Sequence, residues 1–239
     1  MHFLTKMWKR KQPIKQGWSK DSPQGDSILK ILNFLISIAL IIIIIFSPLF
    51  LLMNNMFLTY EFYKQNIQNS SKMIKNEYLF YTDQAIKYFF NNENSVTIKD
   101  ETGANLNNFF TEEEILHMID VKRIMRLVFI LLIFALITTF ALLKKIRFRI
   151  VSNSLIFSFI LMSIIGTILY FNFERSFYVF HKILFRNQYW LLPENTMLIR
   201  MFPENFFYDY AILWFIISCF PGFIMMLSKI FINPKSFLN

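Results

Sequence analysis

Residues 31–53 read ILNFLISIALIIIIIFSPLFLLM, a run of 23 residues without a charged side chain. A helix needs roughly 17–25 predominantly apolar residues to cross the hydrocarbon core of a membrane. Three further charge-free stretches, of 17, 24 and 19 residues, occupy 127–143, 150–173 and 210–228. The sequence therefore predicts an all-α integral membrane protein with four transmembrane helices.

The composition agrees with this fold class. The chain of 239 residues is 55% hydrophobic, with 30 Phe and only 5 Gly, whereas in soluble domains roughly half of the residues are apolar even with glycine counted. The first apolar run is too long for the core of a cleaved signal peptide and has no small-residue cleavage site after it. We expect it to be a retained signal anchor.

The charges predict the orientation in the membrane. One side carries 13 Lys and Arg against two acids, and the other carries 12 against 14. Because basic residues accumulate on the cytoplasmic side, both termini are predicted to be cytoplasmic, and a nucleic-acid partner is a poor interpretation of basic residues placed at membrane ends. The predicted segments between the spans are a cytoplasmic basic tail (1–30), an extracellular cap segment (54–126), a cytoplasmic loop (144–149), an extracellular loop with an interfacial helix (174–209) and a cytoplasmic tail (229–239).

The cap segment is predicted to be a small α+β unit. Residues 60–90 carry apolar side chains at roughly helical spacing, and residues 95–99 alternate like a short strand that precedes a turn and a second strand. Thr111 and Glu114 then form a capping-box pattern. We expect a helix to begin there, to carry His117 and to continue into the second span.

The second extracellular loop contains an amphipathic pattern at 174–186 that is typical of a helix lying in the membrane interface. Interfacial aromatic residues follow at Tyr189 and Trp190. A further short helix is predicted at 195–201, ending before Pro203.

Two of the three histidines are candidates for chemistry, because both lie just outside the same membrane face. His117 has Glu113, Glu114 and Asp120 three or four residues away on one helix, and a carboxylate that holds one ring nitrogen raises the basicity of the other. His181 lies near Lys182 and Arg186. Nearby cations favour a neutral imidazole, which acts as a base or as a hydrogen-bond donor. Taken alone, each histidine has a non-catalytic explanation that is as good as the catalytic one. His117 is then a surface residue, and His181 is an interfacial residue.

Other classes of site fit less well. Cys219 is the only cysteine and lies within the fourth span, where an apolar setting makes a thiol a poor nucleophile. No glycine-rich phosphate loop and no zinc-protease, serine-hydrolase or CxxC motif occurs. We expect no cofactor and no metal, although a metal site of both histidines and a carboxylate stays open. The alternative to an enzyme is a non-catalytic membrane chaperone or accessory subunit.

Three short patterns occur in order between the first and the fourth span. They are His117–Met118-x-Asp120–Val121–Lys122, Phe180–His181-x-x-x-Phe185-x-Asn187-x-x-Trp190-x-x-Pro193 and Met201–Phe202–Pro203–Glu204-x-Phe206–Phe207-x-Asp209. With these patterns and four spans of this spacing, the chain resembles the bacterial lipoprotein intramolecular transacylases from its first span to its fourth.

The resemblance implies that His117 and His181 are the catalytic pair. It also implies the substrate, a membrane lipoprotein whose N-terminal cysteine carries a diacylglyceryl group and a free α-amine. The enzyme would move the sn-2 acyl chain onto that amine and leave the lyso-form lipoprotein. We expect His117, steadied by an acidic neighbour, to be the base and His181 to polarise the carbonyl or protonate the leaving oxygen, although the two roles are interchangeable on sequence alone. The residues expected to support the pair are Glu113, Glu114, Asp120, Arg186, Asn187 and Trp190.

Overall fold

The computed structural model describes residues 23–232, and all of its regular elements are helices apart from one isolated β-bridge. The expected basic tail at the N-terminus lies mostly outside these residues, as do the last residues of the C-terminal tail. The helices are α1 (Pro23–Leu51), α2 (Asn55–Lys64), α3 (Ile67–Ser71), α4 (Lys75–Phe90), α5 (Glu112–Ala141), α6 (Phe148–Phe171), α7 (Phe173–Leu184), α8 (Met197–Met201) and α9 (Glu204–Ile232).

Among residues 23–232, four helices are long and apolar enough to span a membrane, namely α1, α5, α6 and α9. The predicted number of such helices is thus confirmed. Their outer faces carry exposed large apolar side chains such as Phe34, Phe134 and Phe231. In an all-helical chain such faces fit a lipid environment, where the backbone polar groups are satisfied inside each helix.

The bundle is held together mainly by contacts of α6 with α9 and of α1 with α5 and α6. Gly222 of α9 lies so close to the carbonyl oxygen of Leu155 and to Phe159 that no Cβ would fit there. Gly166 of α6 is covered in the same way by the ring of Phe215. Small residues allow membrane helices to approach closely and to gain van der Waals contact, which explains the tight α6–α9 pair.

The helix that carries His117 begins where the sequence predicts it. The hydroxyl of Thr111 accepts a hydrogen bond from the backbone N–H of Glu114, and the Glu114 carboxylate accepts one from the N–H of Thr111 at 2.6 Å. From this capping box α5 runs without a break for 30 residues and, at about 1.5 Å per residue, is roughly 45 Å long. It therefore reaches from the cap to the far end of the bundle.

The cap is helical, so the predicted α+β architecture is wrong. Residues 95–106 form only an isolated bridge between Lys99 and Asn105 around a turn in which the Asp100 side chain accepts two backbone N–H groups and Gly103 has φ +87°. A two-stranded hairpin is marginally stable by itself. Here Val96 and Ile98 are instead buried against helices of the cap core.

The predicted helical stretch at 60–90 is interrupted twice. Asn66 and Lys72 both have positive φ, +52° and +66°, and they separate α2, α3 and α4. These breaks let the three helices fold around one core, which includes Phe62, Tyr78 and Met118. The same core takes in Met201 and Phe206, so it joins the start of α5 to α8 and to the start of α9.

Candidate active site

His117 and His181 lie next to each other at one end of the bundle. His117 is in the second turn of α5, and His181 is in the third turn of α7, which follows directly after α6. Their ring centroids are 5.9 Å apart. The side chains are buried, with 9% and 8% of their surface exposed. Residues that are 64 positions apart in sequence are thus brought into one small site.

One hydrogen bond fixes the tautomer of His181. Its Nδ1 lies 2.7 Å from the backbone carbonyl oxygen of Phe177, one turn earlier on α7. A carbonyl oxygen only accepts, so Nδ1 carries the proton and donates it. In the neutral ring Nε2 then has a free lone pair, which is the form that a general base requires.

Aromatic rings enclose the pair. Trp190 stacks on His181 with a centroid distance of 5.2 Å and an interplanar angle of 28°, and Phe177 meets the same ring edge-on at 4.3 Å. Phe185 touches both imidazoles, at 5.2 Å from His117 and 5.7 Å from His181. The walls of the site are therefore apolar and exclude water from the rings.

A chain of hydrogen bonds connects α5 to this aromatic wall. The Asn187 amide donates to Asp120 at 2.6 Å, and the backbone carbonyl of Asn187 accepts the indole N–H of Trp190 at 3.0 Å. The other Asp120 oxygen pairs with Arg123 at 2.7 Å. Asp120, one turn after His117, thus positions the loop that places Trp190 on His181, and makes no hydrogen bond to His117 within residues 23–232.

The remaining predicted supporting residues lie outside this cluster. Glu114 is fully buried, but its carboxylate caps Thr111 and accepts the backbone N–H of Leu198 at the start of α8. Glu113 and Arg186 are exposed. None of the three bonds to an imidazole in the part of the chain that the structure describes. Glu114 therefore holds the cap together, and of the predicted acids only Asp120 is near the pair.

Burial determines the charge of the two imidazoles. His117 precedes the charge-free stretch 127–143, and His181 follows the charge-free stretch 150–173, so both lie outside these predicted spans. The pKa of His117 is lowered from 6.5 to about 4, mainly by burial and also by the neighbouring His181, while the negative charge of Asp120 acts in the opposite direction. Burial also lowers the pKa of His181, while its hydrogen bond to Phe177 acts in the other direction. Both rings are neutral near pH 7.

The donor set does not suit a metal. Within residues 23–232, no group of three His, Cys, Asp or Glu side chains is arranged to hold one. Asp120, the nearest acid on α5, is already engaged with Asn187 and Arg123. The site therefore offers two imidazoles and apolar walls.

A second polar cluster, between α2 and the start of α9, was not anticipated from the sequence. Glu61 of α2 is fully buried, and one of its carboxylate oxygens accepts from Gln65 at 3.0 Å. Gln65 also donates to Asp209, which pairs with Lys64 at 2.6 Å. Burial raises the pKa of Glu61 from 4.5 to about 7. Only the apolar spacing around Glu61 could have indicated its burial.

Lys122 is another position whose role the sequence pattern alone does not reveal. It is buried, and its ammonium donates to the side chain of Asn91 and to the carbonyl of Glu93, both at 2.8 Å. It also lies 3.7 Å from the ring centroid of Tyr88. Lys122 thus links the end of α4 to α5.

Four apolar spans and two buried, adjacent imidazoles at one end of the bundle define an integral membrane protein with a paired-histidine site. The sequence profile of the family described as lipoprotein intramolecular transacylase Lit matches residues 33–207. The chain belongs to this family, and it is a membrane enzyme with lipoprotein intramolecular transacylase activity.

Comparisons with known proteins found one similar sequence and several similar folds. An uncharacterized protein of Aquifex aeolicus (strain VF5) is 28% identical over 213 residues, which cover 83% of this chain and 97% of that protein. The solved structure of the membrane integral lipoprotein intramolecular transacylase Lit from Bacillus cereus superimposes with a TM-score of 0.69 at 21% identity, over 90% of this chain and 100% of that one. A variant of that protein with one histidine replaced by arginine gives a TM-score of 0.63, over 90% of this chain and 96% of that one, at 21% identity. These structures have the same fold.

Proposed function

We propose that the enzyme moves the sn-2 acyl chain of a diacylglyceryl-cysteine lipoprotein onto the lipoprotein's own α-amino group. The amine nitrogen attacks the ester carbonyl, a C–N bond forms, and the C–O bond to the glycerol breaks. The amine loses one proton and the glycerol oxygen gains one. The product is the lyso-form lipoprotein, with an amide on the cysteine and one ester on the glycerol.

In this reaction His181 is the base that takes the proton from the attacking amine. The observation that carries the assignment is the Nδ1–H bond to the Phe177 carbonyl, which leaves Nε2 of His181 as an acceptor. His117, with no hydrogen bond to its ring within residues 23–232, is free to present an N–H to the developing oxyanion or to the leaving oxygen. The roles are thus the reverse of those expected from the carboxylates around His117.

The surroundings of the pair suit a direct transfer within one substrate molecule. No serine or cysteine in the described part of the chain is hydrogen-bonded to either imidazole, and a transfer within one molecule needs no acyl-enzyme. The rings of Phe177, Phe185 and Trp190 enclose the imidazoles. They provide an apolar surface for acyl chains and keep out water, which would hydrolyse the ester.

We assign the site to the extracellular face, with both termini in the cytoplasm. The positive-inside distribution of Lys and Arg supports this orientation. A lipoprotein receives its lipid at the membrane, so a site beside the outer ends of α5 and α6 meets the substrate within the leaflet that holds it. His117 precedes the charge-free part of α5 by ten residues, roughly 15 Å along a helix, so the substrate headgroup must be raised toward the cap.

Mass spectrometry of N-terminal lipopeptides tests the proposal. Cells that express the chain should yield cysteine with one N-acyl and one O-acyl chain, and His117→Ala or His181→Ala should abolish this product at equal protein level. His2→Ala replaces the one remaining histidine of the sequence and is the matched control, which should leave the product unchanged. Normal product from both site variants would refute histidine catalysis.

Acyl position is tested with a synthetic lipopeptide that carries different acyl chains at sn-1 and sn-2. The purified enzyme should place only the sn-2 chain on the amine. Transfer of the sn-1 chain would contradict the proposed positional specificity while leaving the transacylase activity intact.

Orientation is tested by cysteine labelling, for which the chain is well suited because Cys219 is its only cysteine. In a Cys219→Ala background, Asn92→Cys should react with a membrane-impermeant maleimide in intact cells. Lys144→Cys should react only after the cells are opened. The opposite pattern would reverse the assigned orientation.

A further inference from the structure

A polar cavity lies at the end of the bundle opposite to the histidines. It has a volume of about 340 Å³ and opens between α1 and the start of α6. Its polar lining consists of Asn33 and Ser37 from α1, of Arg147 just before α6, and of Arg149 and Asn153 in the first turns of α6. Because α5 runs from the histidine site to the loop before α6, this cavity and the site lie at opposite membrane faces.

The depth of the cavity matches that of lipid headgroups. Its α1 residues, Asn33 and Ser37, lie in the first two turns of the charge-free stretch 31–53. On the other helix, Arg149 immediately precedes the charge-free stretch 150–173. The cavity is therefore at the boundary between hydrocarbon and water, where the phosphates of a bilayer lie.

The cavity carries two arginines without an acidic partner among the described residues. Within residues 23–232, no carboxylate pairs with Arg147 or Arg149, and both residues are exposed. A guanidinium binds phosphate through two parallel N–H···O bonds. The amides of Asn33 and Asn153 and the hydroxyl of Ser37 add uncharged donors of the kind that bind phosphate and glycerol oxygens.

The apolar part of the lining fits the remainder of a lipid. Both Phe34, which is exposed on α1, and Ile150, which is buried, contribute to the lining. A volume of about 340 Å³ is within the range of small-molecule sites, roughly 300–1,000 Å³. It accommodates a phosphate with a small alcohol while the acyl chains stay in the bilayer.

We infer that this cavity is a binding site for the phosphate headgroup of an anionic phospholipid in the leaflet opposite the active site. The bound phosphate bridges Arg147 and Arg149 to α1 and so ties the first span to the third. Basic pockets between transmembrane helices bind anionic headgroups for this reason. The site is separate from the substrate site, so the inference does not depend on the proposed chemistry.

Native mass spectrometry of the full chain in detergent tests the inference, with phosphatidylglycerol and zwitterionic phosphatidylcholine as probes at equal concentration. The wild type should bind phosphatidylglycerol preferentially. Arg147→Gln combined with Arg149→Gln removes both charges from the cavity and should weaken this binding by about tenfold, which corresponds to about 1.4 kcal/mol. Lys144→Gln combined with Lys145→Gln removes the same charge from the same loop outside the cavity and should change binding by less than about twofold.

Two further measurements separate a built site from general attraction. Ser37→Leu keeps every charge but narrows the cavity, so it should also weaken phosphatidylglycerol binding while the thermal midpoint of the lipid-free protein is preserved. Equal losses in the arginine and lysine variants, or full binding by Ser37→Leu, would overturn the inference. Inorganic phosphate is the last probe. If it raises the thermal unfolding midpoint of the wild type and phosphatidylglycerol is not preferred over phosphatidylcholine, the cavity binds free phosphate and the lipid inference is overturned.

Discussion

The Nδ1 atom of His181 lies 2.7 Å from the carbonyl oxygen of Phe177, one helical turn earlier. This bond sets the direction in which the imidazole can accept a proton. In many catalytic histidines a carboxylate has this orienting role. Here a backbone carbonyl on the same helix does it, which leaves Asp120 free to position the loop after α7.

Amide substitutions of His181 should show that its Nε2 is needed as a base. Asparagine at 181 retains a donor near the position of Nδ1 but has no group at Nε2, so His181→Asn should keep the fold and lose at least about 10²-fold in kcat, the usual contribution of a general base. His181→Gln places an amide near Nε2, which does not act as a base, and should be equally inactive. The measurement is transfer on a synthetic diacylated lipopeptide. Wild-type kcat in His181→Asn would show that the base is elsewhere.

The pH dependence of the reaction should reflect the substrate more than the histidines. Burial lowers the pKa of His181 below its ordinary value of 6.5 and lowers that of His117 to about 4, so both rings are neutral at pH 7. Above pH 7 the rate should therefore rise only with the deprotonation of the substrate α-amine, near about pH 7.7–8.0. The check is kcat/KM on a lipopeptide between pH 5 and 9. A second ascending step near pH 6.5 would mean that a histidine titrates with its ordinary pKa.

Asn187 should position the site rather than take part in the reaction. Asn187→Leu removes the bond to Asp120 that holds the loop, so Trp190 is expected to move from His181. We expect kcat to decrease by roughly tenfold, in line with the loss of orienting partners around catalytic groups, with a smaller change in KM. Gln188→Leu alters the exposed neighbouring side chain and is the control. Equal effects of the two substitutions would point to a general disturbance of the loop.

Glu61 should make stability depend on pH. Burial raises its pKa in the folded state to about 7, so the folded protein holds this proton more tightly than the unfolded chain. The corresponding stabilisation is complete below about pH 4.5 and is lost as the pH rises through about 7. Glu61→Gln mimics the protonated form and should flatten the dependence between pH 5 and 8, with a gain of about 1–2 kcal/mol at pH 8.

Thermal unfolding midpoints in detergent, measured across this pH range, are the readout for Glu61. Glu101→Gln, at an exposed position, serves as the control and should retain the wild-type slope. An unchanged slope in Glu61→Gln would assign the pH dependence to another group.

The spans were predictable because bilayer thickness imposes one simple requirement on each of them, a long charge-free run. The start of α5 was predictable because the partners in its capping box, Thr111 and Glu114, are only three residues apart. The second bond of Glu114 was not, since it reaches Leu198, 84 residues later. The local pattern thus predicted the capping bonds of Glu114 with Thr111 but not its bond to Leu198.

The prediction of two strands in the cap was wrong for a related reason. Alternation at 95–99 indicates which side chains turn inward, and Val96 and Ile98 are indeed buried. It does not indicate whether they meet a second strand or helices. The site itself was predictable to the level of which residues share a membrane face. The tautomer of His181 and the aromatic wall depend on ring placement, which spacing does not encode.

The unbroken course of α5 links the reaction to the thickness of the bilayer. His117 is attached to its span without a hinge, whereas His181 belongs to a separate helix at the end of α6. A helix changes its tilt when the hydrocarbon layer becomes thinner or thicker, and tilt of α5 moves His117 relative to its partner. We therefore expect the acyl-chain length of the surrounding lipids to regulate how closely the two imidazoles meet.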